Sequence, residues 1–516
     1  MKPISLFNDV IGPIMRGPAS SHTAGPFHIG ALARSLLNDK PAKATFVFDP
    51  GGSFAQVYRE QASDLGFAAG LMGWPIIDER FPEALTQAAA EGLDIVFAIE
   101  PLPGANHPNT VEIRLLSKHG RTLRATAESI GGGAVRFTSL EGWPVCLTGD
   151  AYEVLVALEA NAEASVNELV TRDGQVIGTV QRQARDGEIL LHASRRAPLA
   201  PEIQSEAATL SGVRDLWAAS RIFYIQRGEP LFSSASEMIA LAESRECSLG
   251  QAGLAYESAL LSLPEDEILA EMLRRFEVME ASVQHGLSEA VPPMHLLQPT
   301  ARQVFRAEAE GRLVAGGLPT RAAARALAVK HVSCSLGVVC AAPTSGASGV
   351  IPGVVVTLAE ERGLSRKQIA LALLAAAVVG LVVATRATYA AEVAGCQVEV
   401  AAAEGMAAAA VVETAGGSPR QAADAAAIAF QNAMGCICDP VQGFVEIPCH
   451  TRNAAAAAGA FVCADLVLGG YVNPIPLDET VDAVYAVGRM LPRELRCTAL
   501  GGLSVAPSAL ALRRLQ

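Results

Sequence analysis

From Ala323 onward the sequence is dominated by alanine, in blocks such as "IALALLAAAVVGLVVA" (369–384) and "AAAEGMAAAA" (401–410), broken by Gly and Pro. Alanine is the strongest helix former and carries no bulk to hold neighbouring helices apart. Such blocks predict a compact all-α bundle with close helix approaches. The 369–384 run falls just short of a membrane span and is only mildly hydrophobic. We read it as a helix buried on all sides in a protein core. The first 25 residues are interrupted by Asn8, Asp9, Gly12 and Pro13, so they do not make a signal peptide. The expectation is a cytoplasmic protein with no membrane contact, in which cysteines stay reduced. A net charge of −13 argues against a nucleic-acid partner.

Ahead of the alanine-rich region the pattern changes twice, so a multidomain chain is expected. Residues 1–148 mix β-rich runs ("ATFVFDP", "DIVFAIE", "TVEIRLL") with helical stretches, an α/β domain. In it, "ESIGGGAVRF" reads as a strand whose three glycines suit a bend or a close backbone approach. Residues 151–222 read as βαββαβ, with a hairpin turned at Asp186-Gly187. That is the split-βαβ order of a small α+β domain. It resembles the ACT domain, a small-molecule sensing module of amino-acid enzymes. Residues 225–516 form the all-α unit. Its "SASEMIALAESREC" opens on a serine N-cap, and "EDEILAEMLRRFEVMEASVQHGL" is amphipathic.

Of ten cysteines, three fall in "MGCICDPVQGFVEIPCHTRN" (434–453). Cys146, Cys247 and Cys463 stand alone and read as small buried hydrophobes. Cys334 and Cys340 fit a core equally well. Cys396, Cys438 and Cys449 lie at Gly or Pro breaks, where a helix opens and a thiol can face a cavity. Their spacing fits neither a zinc finger nor a ferredoxin run. It leaves room for an iron–sulfur cluster with three protein ligands and one open iron. Spacing alone, however, favours buried structural cysteines.

Two polar loops add to this. "RGPASSHTAGPFHIG" (16–30) sets Ser20, Ser21, His22 and Thr23 between Gly-Pro pairs, where a helix begins and a carboxylate could bind. The same residues could simply cap that helix. "AAPTSGASGVIPG" (341–353) offers Thr344, Ser345 and Ser348 among glycines that let a ligand approach the backbone, or else serves a helix crossing.

In order, "GPASSHTAGP", "AAPTSGASGVIPG", "EVAGCQVEVAAAEGMAAAA", "CDPVQGFVEIPCHTRN" and "LGGL" resemble motifs of the iron–sulfur-dependent L-serine dehydratases. The resemblance covers residues 1–148 and 225–505. It implies a [4Fe–4S] cluster on Cys396, Cys438 and Cys449, with Cys436 as packing or a sulfur beside the ligands. It implies deamination of L-serine to pyruvate and ammonia, with the cluster assisting departure of the β-hydroxyl. His22 and Ser21 are the expected catalytic groups, because a histidine titrates near neutrality. Ser20, Thr23, Thr344, Ser345, Gly346 and Asn453 are the expected substrate contacts. A homodimer and an amino-acid effector on residues 151–222 are expected as partners. A pyridoxal route is disfavoured: none of the six lysines sits in a Schiff-base-like setting.

The match departs at two places. Where the family carries paired histidines, this chain has Gln61 and Ala62, leaving Tyr58, Arg59 or Glu60 as substitutes. Where many relatives end in a cysteine that docks on the open iron, this tail has Ser508 nearby and no cysteine. L-Threonine or another β-substituted amino acid therefore stands as an alternative substrate. A non-catalytic iron–sulfur redox or sensor protein is the other alternative. It would use a fourth ligand, Cys436 or Cys497.

Overall fold

The computed structural model describes residues 3–515; the outermost ends of the first and last expected domains, residues 1–2 and 516, lie outside the described residues. The N-terminal α/β region holds a six-stranded sheet. Its order is Asp94–Ile99, Pro41–Phe48, Thr110–Ser117, Thr122–Gly131, Ala134–Leu140, Trp143–Leu147. The first pair is parallel and the rest antiparallel. Helices Gly25–Leu37 and Ser63–Met72 cover one face, with Phe46 stacked on Phe67 at 4.1 Å between ring centres.

The glycine run proves to be a hairpin turn between two strands, not one strand. Gly131, Gly132 and Gly133 all have positive φ, which residues with a Cβ rarely adopt. The approach anticipated there is made to another part of the chain: a Cβ on Gly131 would lie 2.7 Å from the Ala390 nitrogen.

Residues 152–219 have the βαββαβ order, with strands Tyr152–Glu159, Gln181–Arg185, Glu188–Arg195 and Val213–Ala219 in an antiparallel four-stranded sheet. Side chains alternate across a strand, and both faces are used. Val154, Val156 and Leu158 pack on the module's own helices. Leu155, Trp217 and Ala219 join the core of the N-terminal sheet.

The remainder is helical. The helix Arg366–Arg386 is long and apolar enough to cross a membrane by composition, yet 78% of its apolar window is buried inside the protein. Small residues permit close crossings: a Cβ on Gly353 would lie 2.6 Å from the Ala322 carbonyl of a neighbouring helix.

The two halves interlock. Leu6, Phe7, Val10, Ile11 and Met15 belong to the core of the helical region. Strand Ile14–Arg16 pairs antiparallel with Val338–Cys340. The buried Glu257 carboxylate accepts from the Ser5 hydroxyl at 2.5 Å and from the Leu6 and Phe7 amides at 2.8 and 3.2 Å.

Candidate active site

Where the halves meet, a small cavity is lined by Cys396, Cys438, Cys449 and Cys497. Ser21 and Gln61 reach it from the N-terminal region, and Gly346, Glu392 and Glu399 from the helical one.

Local sequence explains how each thiol is held. Gly395 has φ +78°, and a Cβ there would sit 2.8 Å from the Cys436 carbonyl. Gln397 then ties the two cysteine segments together: its amide oxygen accepts from Gly435 N at 2.9 Å, and its own backbone N–H donates to Cys436 O at 3.2 Å. Cys438 is paired through its backbone with the chain near the C-terminus, donating to Leu495 O and accepting from Cys497 N, both at 2.9 Å. The "GGL" segment clasps the residues that follow. Leu503 N donates to Asp439 at 2.8 Å and Ser504 Oγ to Pro440 O at 2.9 Å. Cys449 opens the helix Cys449–Leu468.

The thiol of Cys396 touches that of Cys436, and the thiol of Cys438 touches that of Cys497. Those contacts, with burial, keep Cys396 and Cys438 well above the ordinary thiol range. Burial pushes Cys449 up to about 12. Contact with Cys396 brings Cys436 down to about 7. Among the described residues, no three His, Cys, Asp or Glu side chains are gathered to hold a single metal ion. The cavity suits a polynuclear sulfur-ligated group in its donors, which are soft, shielded from water and near two cations. Lys330 and Arg452 both act on Cys449. Binding such a group requires the touching thiols to part and to lose their protons.

His22 stands behind Ser21, not on the cavity wall. Burial, and then the nearby His107, pull it down to about 3, so the ring is neutral at any physiological pH. Its Nδ1 lies 2.9 Å from Ser21 Oγ and its Nε2 3.1 Å from Ser53 Oγ. Ser53 spends its one hydroxyl proton on Cys497 O at 2.9 Å. It must therefore accept from His22 Nε2–H, which leaves Nδ1 to accept from Ser21. Ser21 also touches Glu392, a carboxyl that burial pushes up to about 8. A protonated Glu392 completes one chain of donors: Glu392 to Ser21, to His22, to Ser53, to the Cys497 carbonyl.

Glu399 is the second carboxyl on the cavity wall and is half-buried. Burial raises it to about 7, against a hydrogen bond from Thr344 and the charge of Lys330. Lys330 itself donates to Ser345 O at 3.0 Å. The remaining expected contacts are engaged within the protein. Ser20 Oγ accepts from Ser345 N at 3.3 Å, Thr23 donates to Gln61 O at 2.8 Å, and Asn453 donates to Gly346 O and Cys449 O, both at 2.9 Å. Gly346 is tight against Glu399, whose carboxylate would be 3.3 Å from an added Cβ.

Of the substitutes for the missing histidine, Tyr58 packs among Phe48 and Phe97, away from the cavity. Arg59 and Glu60 line an adjoining vestibule of about 230 Å³ that shares Val445 with the cavity. Ser508 lies on the short helix Pro507–Leu510 and does not line the cavity. Glu392, Glu399 and Ser53 were not read as site features, and Cys497 was named only as a possible fourth ligand of a non-catalytic cluster protein. The one available signal was Glu399, the acid of the Cys-Gln-x-Glu motif.

The family described as serine dehydratase alpha chain matches residues 153–504. A Bacillus subtilis protein named probable L-serine dehydratase, alpha chain, is 37% identical over 55% of this chain and 95% of its own length. The L-serine dehydratase alpha chain of Peptoniphilus asaccharolyticus is 34% identical over 55% of this chain and 98% of its own. A second B. subtilis protein, named probable L-serine dehydratase, beta chain, is 41% identical over 30% of this chain and 69% of its own. With most of its length matched and near-complete coverage of two relatives, this chain belongs to the serine dehydratase alpha-chain family.

Proposed function

We propose that the protein is an L-serine dehydratase, which removes water from L-serine by α,β-elimination and releases pyruvate and ammonia. The observation that carries this reading is the meeting, in one cavity, of the expected ligand thiols with the Glu392 and Glu399 carboxyls, Ser21 from the N-terminal loop and Gly346 from the helical half. Cys396, Cys438 and Cys449 are assigned to a [4Fe–4S] cluster. When bound, that cluster supplies a Lewis acid for the departing β-hydroxyl.

The chain's own residues supply the rest. Glu399, whose carboxylate is favoured by Thr344 and Lys330, is assigned to accept the α-proton. Glu392, which holds its proton at neutral pH, is assigned to protonate the leaving oxygen. Ser21 and His22 keep that proton directed, since a neutral imidazole can receive at Nδ1 while donating at Nε2. The Thr344–Gly346 backbone orients the substrate carboxylate, with Ser20, Ser345 and Asn453 fixing the loop and Thr23 fixing the Gln61 segment. Aminoacrylate, the immediate product, tautomerises and hydrolyses without further catalysis.

Gln61 at the cavity wall keeps L-threonine as the second reading for substrate. A cavity of about 680 Å³ between helix Gly25–Leu37 and the βαββαβ module presents Arg34, Asp39 and Glu153. These opposite charges support the reading of an ACT-like amino-acid effector site. We read the protein as a cytoplasmic homodimer.

The test is anaerobic reconstitution with ferrous iron and sulfide, followed by pyruvate and ammonia assays on L-serine and L-threonine. Equal yields of pyruvate and ammonia from L-serine are expected. A protein with full iron content that deaminates neither substrate overturns the reading.

A further inference from the structure

The cavity holds one more thiol than the three assigned to the cluster. Resting on that cluster assignment, we propose that Cys497 is a fourth protein ligand, so that all four corners of the iron–sulfur cube are held by cysteine in the substrate-free enzyme.

Four independent features converge on this residue. Cys497 is buried and faces the same cavity as Cys396, Cys438 and Cys449. Its position is fixed relative to an assigned ligand: the mutual backbone bonds among Leu495, Cys497 and Cys438, and the bridge between Cys438 and Arg496, splice the two segments side by side. Its φ of +57° is a backbone state that residues with a Cβ rarely adopt. A polar frame also surrounds it. The Ser53 hydroxyl holds its carbonyl at 2.9 Å, and the Gln61 amide donates to its sulfur at 3.5 Å. An N–H aimed at sulfur is the contact that a metal-bound thiolate accepts, and such outer hydrogen bonds fix a ligand's orientation.

The charges agree. Four thiolates around a cube with a core charge of about +2 leave about −2 in all. Lys330 and Arg452 are the cations that act on this group of sulfurs. On binding, Cys497 gives its thiol proton to solvent and forms one sulfur–iron bond, with no change in oxidation state. Gln61 then offers a donor to this sulfur whenever substrate takes its place.

The experiment compares the full-length protein with Cys497→Ala and Cys497→Ser, each reconstituted anaerobically with sulfide and iron-57. The readouts are Mössbauer spectra and EPR after mild ferricyanide oxidation. The wild type is expected to show no distinct iron site and to resist loss of an iron. Cys497→Ala is expected to show one distinct iron and to convert readily to the three-iron form. Should alanine disturb the splice, the near-isosteric Cys497→Ser still decides: a ligand change from sulfur to oxygen shifts the spectrum, whereas a bystander change leaves it as in the wild type. A distinct iron in the wild type, lost as readily as in Cys497→Ala, overturns the fourth ligand and leaves the proposed function standing. A folded wild type that takes up no cluster overturns both.

Discussion

The side-chain amide of Gln61 bridges Cys497 Sγ at 3.5 Å and Gly443 O at 3.2 Å. Gln61 is thus a neutral link between the N-terminal region and the loops that carry Gly443 and Cys497. Gln61→His should leave iron content unchanged. It should alter the ratio of kcat/KM for L-serine over L-threonine by roughly tenfold, the scale of one rearranged buried hydrogen bond. Paired substrate kinetics with iron analysis checks this; an unaltered ratio removes Gln61 from substrate choice.

His22→Asn should lower kcat by about ten- to a hundred-fold, the scale of one lost buried hydrogen bond, because Ser21 loses the acceptor that orients it toward Glu392. The cluster spectrum should persist. Because burial holds His22 down to about 3, the ring does not titrate in the working range. The variant should therefore keep the wild-type shape of the pH–rate profile. A limb near the ordinary histidine value that vanishes in the variant would contradict the buried, neutral ring.

Cys396→Ala, Cys438→Ala and Cys449→Ala should each abolish the visible iron–sulfur absorbance and reduce bound iron. Cys146→Ala should do neither; this thiol, expected from the sequence to be a buried hydrophobe, is exposed, because it lies on the outer strand Trp143–Leu147 of the sheet. Iron and sulfide analysis of the reconstituted variants distinguishes ligands from bystanders. Retention of a full cluster in Cys438→Ala would sink that assignment.

Glu257 gives a stability prediction far from the cavity. Burial raises its carboxyl to about 7, partly opposed by Ser5, Leu6 and Phe7. The folded value exceeds the unfolded one, so the folded state binds more protons between them. This group's stabilising contribution is complete below about pH 4.3 and is lost as pH rises toward about 7. Glu257→Gln should flatten that fall, a difference of at most about 4 kcal/mol across the window. Thermal unfolding of both proteins at pH 5 and pH 8 (roughly the ends of that window) checks the sign. A wild type whose stability rises over the interval relative to the variant contradicts it.

What could be read from the sequence followed from local regularities. Alanine density gave the helical half, period-two runs gave the strands, and the Asp186-Gly187 turn gave the hairpin between Gln181–Arg185 and Glu188–Arg195. Cys396, Cys438 and Cys449 were singled out only by the family resemblance, since their spacing alone reads as that of buried structural cysteines. Long-range features were not legible. Nothing near Glu392 signals that Asn109 will bond it from the other half of the chain. Cys497 was one of two possible fourth ligands in the sequence, and only its backbone pairing with Cys438 separates it from Cys436. The module at 152–219 looked separable because its own pattern is complete, but the outward face of its sheet, with Leu155 and Trp217, is buried on a neighbouring core.

The ribbon joining Ile14–Arg16 to Val338–Cys340 also bears on how the cavity is assembled. Its walls come from residues far apart in sequence, and they meet only when this ribbon and the Glu257 clasp have closed. In one polypeptide that closure is intramolecular, with an effective concentration on the order of millimolar for a flexible tether. The two walls are always supplied in equal number, and the tether resists dilution in a way that free halves, docking as separate molecules, would not. Specific activity should therefore hold constant as the enzyme is diluted.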